Sequence, residues 1–256
     1  MMQSDERTRR VSAGETWLQR LLTWTDGQTD VIKLLAACLM VVDHANRALH
    51  LHATGMMLVG RGAFPLFALA WGRNLAWHRD IRQAALNRLW VFACFAQIPY
   101  LSLGNVWWQG NILFAFAVAG QGLRLLTCGT RAAGLPALAG VLLWLPFSAT
   151  SYGLPGVALL MVSCLLYRSV DAGRQAGCAL AWAALALGMN LDISLTAGIT
   201  GLLVSIPVVG TVTRCRAIPA GRFLPRGVFM LFYAGHLAAL GLLALLLAGP
   251  VNGGLT

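Results

Sequence analysis

Residues 227–248 read GVFMLFYAGHLAALGLLALLLA, an apolar run in which His236 is the only side chain that titrates near neutral pH. A helix rises about 1.5 Å per residue, so about 20 apolar residues cross the hydrocarbon core of a bilayer. This run is therefore predicted to be a transmembrane helix. Further runs of similar length and character precede it. The candidate spans cover approximately residues 31–50, 56–76, 86–104, 110–127, 132–149, 153–168, 175–190, 193–210 and 227–248.

The composition indicates the same class of protein. Of the 256 residues, 58% are hydrophobic and 11% are charged, whereas a soluble domain is about 25% charged. So much apolar surface excludes a disordered chain, and too few polar residues remain to cover a soluble enzyme. We expect an all-α fold, a polytopic membrane helix bundle with about nine transmembrane helices.

Two regions are expected along the chain. Residues 31–250 form the transmembrane domain, and residues 1–30 form a cytoplasmic and interfacial segment. Trp17 and Leu21 flank Arg20 in that segment, a pattern typical of a short helix lying on the membrane surface.

The positive charge is distributed unevenly. The chain has 19 Lys and Arg against 9 Asp and Glu, a net charge of +10, yet the connectors near 102–110, 149–153 and 190–193 carry neither Lys nor Arg. Cytoplasmic connectors are enriched in Lys and Arg. The pattern therefore places the amino terminus in the cytoplasm and the carboxyl terminus outside. The charge excess reflects topology, so we expect the lipid bilayer, and not nucleic acid, as a partner.

Two arginines do not follow this pattern, since Arg47 and Arg61 fall in the outer part of the first two spans. Asp43 and His44 lie about 20 Å from the inner face by helical rise, and His236 lies about 14 Å from it. Ionisable groups are costly inside a membrane and usually mark a functional site. We expect one cavity there, to which Gln97, Asn111 and Tyr152 also contribute, because they lie at a similar depth in their spans.

Sequence spacing restricts which of these side chains can pair. Asp43 and Arg47 are four residues apart, so they share a helix face and can form an ion pair. His44 points about 100° away from Asp43 and is expected to reach towards another helix. Pro65 removes the hydrogen bond that the Arg61 carbonyl would accept, which predicts a kink at the arginine. Purely structural roles for these ions and aromatic side chains remain the alternative.

Several motifs resemble those of the TraX family of conjugative-transfer membrane proteins. The most specific pair is Asp43-His44 and Gly60-Arg61-Gly-Ala-Phe64-Pro65-Leu-Phe67. In chain order the others are Asp30-Val-Ile-Lys33, Arg88, Gln97-Ile-Pro99, Asn111-Ile-Leu-Phe114, Ser151-Tyr152-Gly153-Leu-Pro155-Gly156 and Phe232-Tyr233-Ala-Gly-His236-Leu237. One departure is that the family usually has Tyr-Pro before the last histidine, where this chain has Ala234-Gly235.

The resemblance implies an acetyltransferase of the bacterial inner membrane that uses acetyl-coenzyme A to acetylate the amino terminus of a conjugative pilin subunit during pilus biogenesis. No metal is expected. The implied catalytic residues are Asp43, His44, Arg61 and His236. The implied substrate-binding residues are Arg47, Gln97, Asn111, Tyr152 and Tyr233, and the implied coenzyme A phosphate ligands are Arg73, Arg79, Arg82 and Arg88.

Several alternatives stay open at this point. Either His44 or His236 could be the general base, and an acyl-histidine intermediate is possible. The acceptor could instead be an envelope sugar or a lipid head group. The chain could also be a proton-coupled transporter or a chaperone that holds pilin without chemistry. The sequence does not indicate an oligomeric state.

Overall fold

A computed structural model describes residues 16–77, 80–127 and 131–248, and all regular structure within these ranges is helical. The predicted coenzyme A ligand Arg79 lies outside the described residues. The α-helices are α1 Trp17–Leu22, α2 Asp26–Ala48, α3 Thr54–Gly60, α4 Ala63–Ala76, α5 Gln83–Leu101, α6 Ile112–Thr127, α7 Gly134–Trp144, α8 Gly153–Arg168, α9 Ala172–Gly188, α10 Leu195–Arg214 and α11 Val228–Ala248. Short 3-10 helices at Arg131–Ala133 and Leu145–Phe147 flank α7.

The all-α prediction is confirmed for the described residues, and each predicted span coincides with a helix or a helix pair. Among the described residues, three helical segments are long and apolar enough to cross a membrane: Thr54–Ala76, Leu195–Arg214 and Val228–Leu247. Shorter apolar helices such as Ile112–Thr127 and Gly153–Arg168 fall below that length. The count of nine crossings and their direction therefore stay predictions.

Helix α2 begins earlier than the sequence pattern suggested. Thr25 accepts a hydrogen bond from the Gln28 amide, and the Gln28 side chain accepts one from the Thr25 amide, which forms a capping box. The predicted boundary between residues 30 and 31 lies inside this one continuous helix. The apolar run starts at residue 31, but the cap that starts the helix is polar and lies further upstream.

Helix α4 lies at the centre of the bundle and packs against α2, α8 and α10. Leu66, Ala68 and Ala70 of α4 are fully buried, as are Leu159 and Leu160 of α8. Small residues let helix backbones approach closely in membranes, where packing replaces the hydrophobic effect between helices. This central contact fixes the position of the segment that precedes α4, which carries Arg61.

The outer surface of the bundle is apolar. Leu135, Leu143, Leu180 and Ile98 are between 72% and 74% exposed, and they come from three helices, α5, α7 and α9. A soluble monomer does not present contiguous apolar surface on this scale. The exposed leucines and the buried polar residues described below fit a protein solvated by lipid.

Candidate active site

A cavity of about 550 Å³ lies between α2, the α3–α4 junction and the connectors that precede α8 and α10. Six of the predicted site residues line it: Asp43, His44, Arg47, Arg61, Tyr152 and Tyr233. The cavity size falls within the range of about 300–1,000 Å³ that is usual for small-molecule sites. Six of the nine predicted catalytic and substrate-binding residues therefore lie around one cavity.

The predicted kink at Arg61 is a tight turn that interrupts the helix between α3 and α4, where Arg61 and Gly62 keep right-handed helical dihedrals. The Arg61 and Gly62 amides donate to Leu58 and Val59 carbonyls in tight turns, at 3.1 and 3.2 Å, before α4 begins. A methyl group at Gly60 would lie 2.5 Å from the Cβ of Asp43, so this position requires glycine. The turn thus brings the segment that carries Arg61 against α2.

Arg61 and Asp43 form a buried ion pair across this junction. Arg61 Nη2 donates to Asp43 Oδ1, and Arg61 Nε donates to the Met57 carbonyl at 3.1 Å. Their side chains are 9% and 13% exposed, so the two charges compensate each other with little water present. Arg61 therefore compensates the charge of Asp43.

The predicted pairing of Asp43 with Arg47 is wrong. Arg47 Nη2 donates instead to Asn105 Oδ1 at 3.4 Å, in the connector after α5. The turn between α3 and α4 presents Arg61 to the carboxylate, while the Arg47 side chain extends towards the connector after α5. Arg47 therefore contributes a positive charge at the outer side of the cavity.

His44 reaches across to α11, as its orientation on α2 predicted. His44 Nδ1 lies 2.7 Å from His236 Nε2, the ring planes are within 5° of parallel, and the ring centroids are 5.0 Å apart. The centroid separation equals the nitrogen–nitrogen distance plus roughly one ring radius at each end. The rings therefore lie side by side in one plane and share a nearly linear hydrogen bond.

The hydrogen bonds of this pair fix its tautomers when both rings are neutral. His236 Nδ1 lies 3.0 Å from the Phe232 carbonyl, which can only accept, so Nδ1 carries the hydrogen. His236 Nε2 must then accept from His44 Nδ1. The remaining nitrogen, His44 Nε2, has a free lone pair, and His44 is the histidine of the pair that lines the cavity.

Aromatic side chains form the walls around these polar groups. Tyr233 is 3% exposed and packs edge-on against both histidine rings, with centroids 6.4 and 5.6 Å away. Tyr152 stacks on Phe64 with centroids 4.8 Å apart. Burial raises the pKa of the Tyr152 hydroxyl, so this group stays protonated and can donate a hydrogen bond.

Tyr152 also has an unusual backbone conformation. Its φ of 61° is left-handed, which is rare for a bulky side chain and carries a strain of about 1–3 kcal/mol. The Ser148 carbonyl accepts from the Ser151 and Gly153 amides at 2.8 and 3.2 Å and holds the turn. The surrounding structure therefore forces the tyrosine ring into the cavity.

Gln97 and Asn111, two predicted substrate-binding residues, lie outside the cavity lining. Gln97 Oε1 accepts from the Asn111 backbone and side-chain nitrogens at 3.1 and 2.8 Å, and Asn111 Nδ2 also donates to the Ala93 carbonyl at 2.7 Å. Asn111 is fully buried. These hydrogen bonds connect α5 to the start of α6.

The predicted coenzyme A ligands do not form one cluster. Arg73 is buried and donates to Asp26 Oδ1 at 3.1 Å and to the Trp24 carbonyl at 2.6 Å, so it ties α4 to the start of α2. Arg82 and Arg88 are exposed near the start of α5. None of the three lines the cavity.

Asp192 lines the cavity but was not predicted from the sequence. It lies in the arginine-free connector between α9 and α10, outside every predicted span, and was not considered an intramembrane carboxylate. It is exposed and forms no ion pair or side-chain hydrogen bond within the described residues. It shares this cavity lining with Arg61 and Tyr152.

Comparison with known proteins agrees with the motifs. The family described as TraX protein matches residues 28–244. Two curated relatives are both called Protein TraX. The one from Escherichia coli strain K12 is 48% identical over 92% of this chain and 94% of its own length. The one from Escherichia coli is 47% identical over 90% of this chain and 93% of its own length. No solved structure matches the chain significantly. The chain therefore belongs to the TraX family.

Proposed function

We propose that this protein is an acetyltransferase of the bacterial inner membrane that moves an acetyl group from acetyl-coenzyme A to the amino terminus of a conjugative pilin. The observation that carries the proposal is the oriented His44–His236 pair, which leaves one basic nitrogen at a cavity that also contains a buried arginine. A proton acceptor and a cationic donor at one cavity are the groups that acyl transfer requires.

The distribution of charge supports the nine-span topology that this function needs. Asp26 pairs with Arg73 at one end of the bundle, and at the same end Asp30 accepts from the Phe223 and Leu224 amides of the connector after α10 at 3.1 and 3.0 Å. The cavity lies at the opposite end, beside the arginine-free connectors. A cytoplasmic donor and an amine presented outside would approach the site from these two faces.

His44 acts as the general base in this mechanism. An α-ammonium group has a pKa of about 7.7–8.0, so modest assistance gives the free amine. The amine nitrogen attacks the thioester carbonyl carbon, and a carbon–nitrogen bond forms while the carbonyl becomes an oxyanion. His44 Nε2 takes the amine proton. Collapse of the intermediate breaks the carbon–sulfur bond, and the proton passes from His44 to the leaving thiolate.

Arg61 stabilises the oxyanion in the same step. A guanidinium has five N–H donors, and the ion pair with Asp43 and the bond to the Met57 carbonyl occupy two of them. Donors therefore remain for the developing charge, and the Tyr152 hydroxyl is a second donor. Asp43 fixes the guanidinium before the reaction, so little reorganisation is needed in the transition state.

Asp192 provides charge complementarity for the acceptor. Asp43 is compensated by Arg61, which leaves Asp192 as the carboxylate at the exposed side of the cavity. A carboxylate there attracts the protonated amine and concentrates it at the site. Arg82 and Arg88, both exposed near the start of α5, would receive the phosphates of coenzyme A at the cytoplasmic face.

The mass of mature pilin from cells with and without this protein tests the function. We expect pilin to lose the mass of one acetyl group at its amino terminus when the protein is absent, or when it carries His44→Gln and is present at normal abundance. An unchanged pilin mass would contradict the proposed acceptor. Acetylation of an envelope sugar or lipid head group in the same strains would then identify the second candidate class.

A further inference from the structure

Lys33 is a cation near the start of α2 that lies outside the lining of the cavity. Its ammonium nitrogen is 3.5 Å from Asp30 Oδ1, and its side chain is 13% exposed. The other oxygen, Asp30 Oδ2, accepts from the Phe223 and Leu224 amides. A distance of 3.5 Å is longer than a strong N–H···O bond, and an ammonium group has three donors. Lys33 therefore keeps donors for a further partner.

A second cation, Arg222, is held beside this ion pair. It precedes Phe223, whose amide donates to Asp30 at 3.1 Å. Arg222 is exposed and forms no ion pair with any described residue. One carboxylate, already hydrogen-bonded to two amides, thus lies beside two cations. The local charge is net positive, which favours an anion with more than one negative charge.

Lys33 lies on the face of α2 that lines the cavity. Met40 and His44, both in the lining, follow it by 7 and 11 residues. At about 100° per residue, the three side chains fall within about 40° of one another around the helix axis. At about 1.5 Å per residue, Lys33 is about 16.5 Å along the axis from His44. One helix face therefore joins the cation to the proposed general base.

An aromatic pair lies between Lys33 and the cavity. Phe67 of α4 lines the cavity and meets Phe229 of α11 edge-on, with centroids 6.0 Å apart. Lys33 Nζ lies over the ring of Phe229, 5.7 Å from its centroid. Both rings are partly buried, and side-chain rotations of this kind commonly accompany ligand binding. The two rings therefore border an apolar route from the cation to the cavity.

We propose that Lys33 and Arg222 bind the diphosphate of acetyl-coenzyme A at the cytoplasmic end of α2, with the pantetheine arm along the face that ends at His44. The chain from the diphosphate to the sulfur has roughly twelve bonds, as many as about four extended residues, and so spans about 14 Å. The side chains of Lys33 and His44 cover the remaining distance. The inference rests on the proposed acetyl transfer and on its topology.

The length of the route distinguishes acetyl-coenzyme A from other phosphate compounds. Inorganic phosphate and free nucleotides would satisfy the two cations but carry no chain that reaches the cavity. Acetyl-coenzyme A carries its reactive carbonyl at the end of such a chain, where His44 and Arg61 act. Arg82 and Arg88 would then meet the phosphate on the ribose, which lies beyond the diphosphate.

Two acetyl donors test the inference with the purified full-length protein and a peptide that carries the pilin amino terminus. Acetyl-coenzyme A has the diphosphate, whereas S-acetyl-N-acetylcysteamine has the same thioester and no phosphate. Lys33→Gln should raise KM for acetyl-coenzyme A about tenfold, the usual effect of losing a hydrogen bond to a charged group. It should leave the phosphate-free donor unaffected. Lys33→Arg keeps the charge and should restore part of the affinity.

Two further variants serve as controls. Arg216→Gln removes a charge from an exposed residue of the connector that carries Arg222, and it should leave both donors unaffected. Asp30→Asn keeps an acceptor oxygen for the two amides but removes the negative charge beside Lys33. It should therefore lower KM for acetyl-coenzyme A, the direction opposite to that of Lys33→Gln. Loss of stability in both Asp30→Asn and Lys33→Gln, with equal effects on the two donors, would show an ion pair that is only structural.

The remaining outcomes are distinct. Equal effects of Lys33→Gln on the two donors, or the same rise in KM in Arg216→Gln, would overturn the inference. Equilibrium binding of unacetylated coenzyme A gives a readout without acetyl transfer, and Lys33→Gln should bind it about tenfold more weakly than the wild-type protein. Transfer from neither donor by the wild-type protein would contradict the proposed function, and coenzyme A binding would still test Lys33.

Discussion

His44 and His236 are 192 residues apart in the chain, yet Nδ1 of the first and Nε2 of the second are 2.7 Å apart. The contact joins α2 to α11, and the Phe232 carbonyl behind His236 sets the direction of the hydrogen bonds. The pair is thus an ordered chain of carbonyl, imidazole and imidazole, with its basic end at the cavity. This order distinguishes the two histidines, which the sequence could not do.

The first prediction separates their roles. His44→Ala should lower acetylation by about 10²- to 10⁴-fold, the usual effect of losing a general base. His236→Gln should cost much less than His236→Ala, because the Gln side chain can accept from His44 and donate to the Phe232 carbonyl. Rates across pH for purified variants check this. Equal losses in His236→Gln and His236→Ala would contradict the positioning role.

The buried ion pair gives the second prediction. Arg61→Gln should leave Asp43 uncompensated and destabilise the protein by about 3–5 kcal/mol, since the charge that remains is buried. The double variant Asp43→Asn/Arg61→Gln should recover much of the stability but not the activity. Thermal unfolding and acetylation, measured together, separate the two effects. Recovery of activity in the double variant would exclude Arg61 as the oxyanion donor.

The close contact at Gly60 gives the third prediction. A Cβ there would lie 2.5 Å from Asp43 Cβ, so Gly60→Ala should destabilise the protein by about 1–3 kcal/mol and lower activity through displacement of Arg61. Gly55→Ala is the matched control on the same helix, because no atom lies within 4 Å of its Cβ position. Similar unfolding temperatures for both variants would contradict this contact.

Asp192 gives the fourth prediction. Asp192→Asn should raise KM for the amine acceptor several-fold, leave kcat nearly unchanged, and weaken the dependence of KM on salt, because its effect is long-range attraction. Asp192→Glu keeps the charge and serves as the control. Kinetics with a peptide that carries the pilin amino terminus check this. A change confined to kcat would place Asp192 in the chemical step instead.

The fifth prediction concerns Asn111. Asn111→Ala removes hydrogen bonds to Gln97 and to the Ala93 carbonyl and leaves their buried groups unpaired, at a cost of about 1–3 kcal/mol. KM for the acceptor should not change, because Asn111 does not line the cavity. Unfolding and steady-state kinetics on one preparation check both statements. A raised KM with normal stability would restore the substrate-binding role that the sequence suggested.

The sequence could predict how deep each ionisable side chain of the site lies in the membrane. An ionisable residue in an apolar run is conspicuous, and helical rise converts its position into a height, so Asp43, His44 and Arg61 were expected near one another. Partners were harder to predict, because they depend on which helix faces meet. The turn between α3 and α4 presents Arg61 to Asp43 in place of Arg47, and Asp26 engages Arg73. Asp192 was not predicted as a site residue, because it lies in a connector, where a charged residue is not unusual.

The interruption of the helix at Arg61 restricts which positions of the site can be substituted. Arg61 binds the Met57 carbonyl of the turn that it interrupts, while Ser205 of α10 donates to the Gly62 carbonyl at 3.3 Å. The Arg61 side chain thus both hydrogen-bonds a backbone carbonyl of α3 and lines the cavity. A substitution of Arg61 would therefore disturb the turn before the central helix α4 as well as the site. Under the proposed function, divergence in the acceptor should accordingly arise at the rim, in the connectors that carry Asn105, Thr150 and Asp192, because connecting segments tolerate substitution better than packed helices.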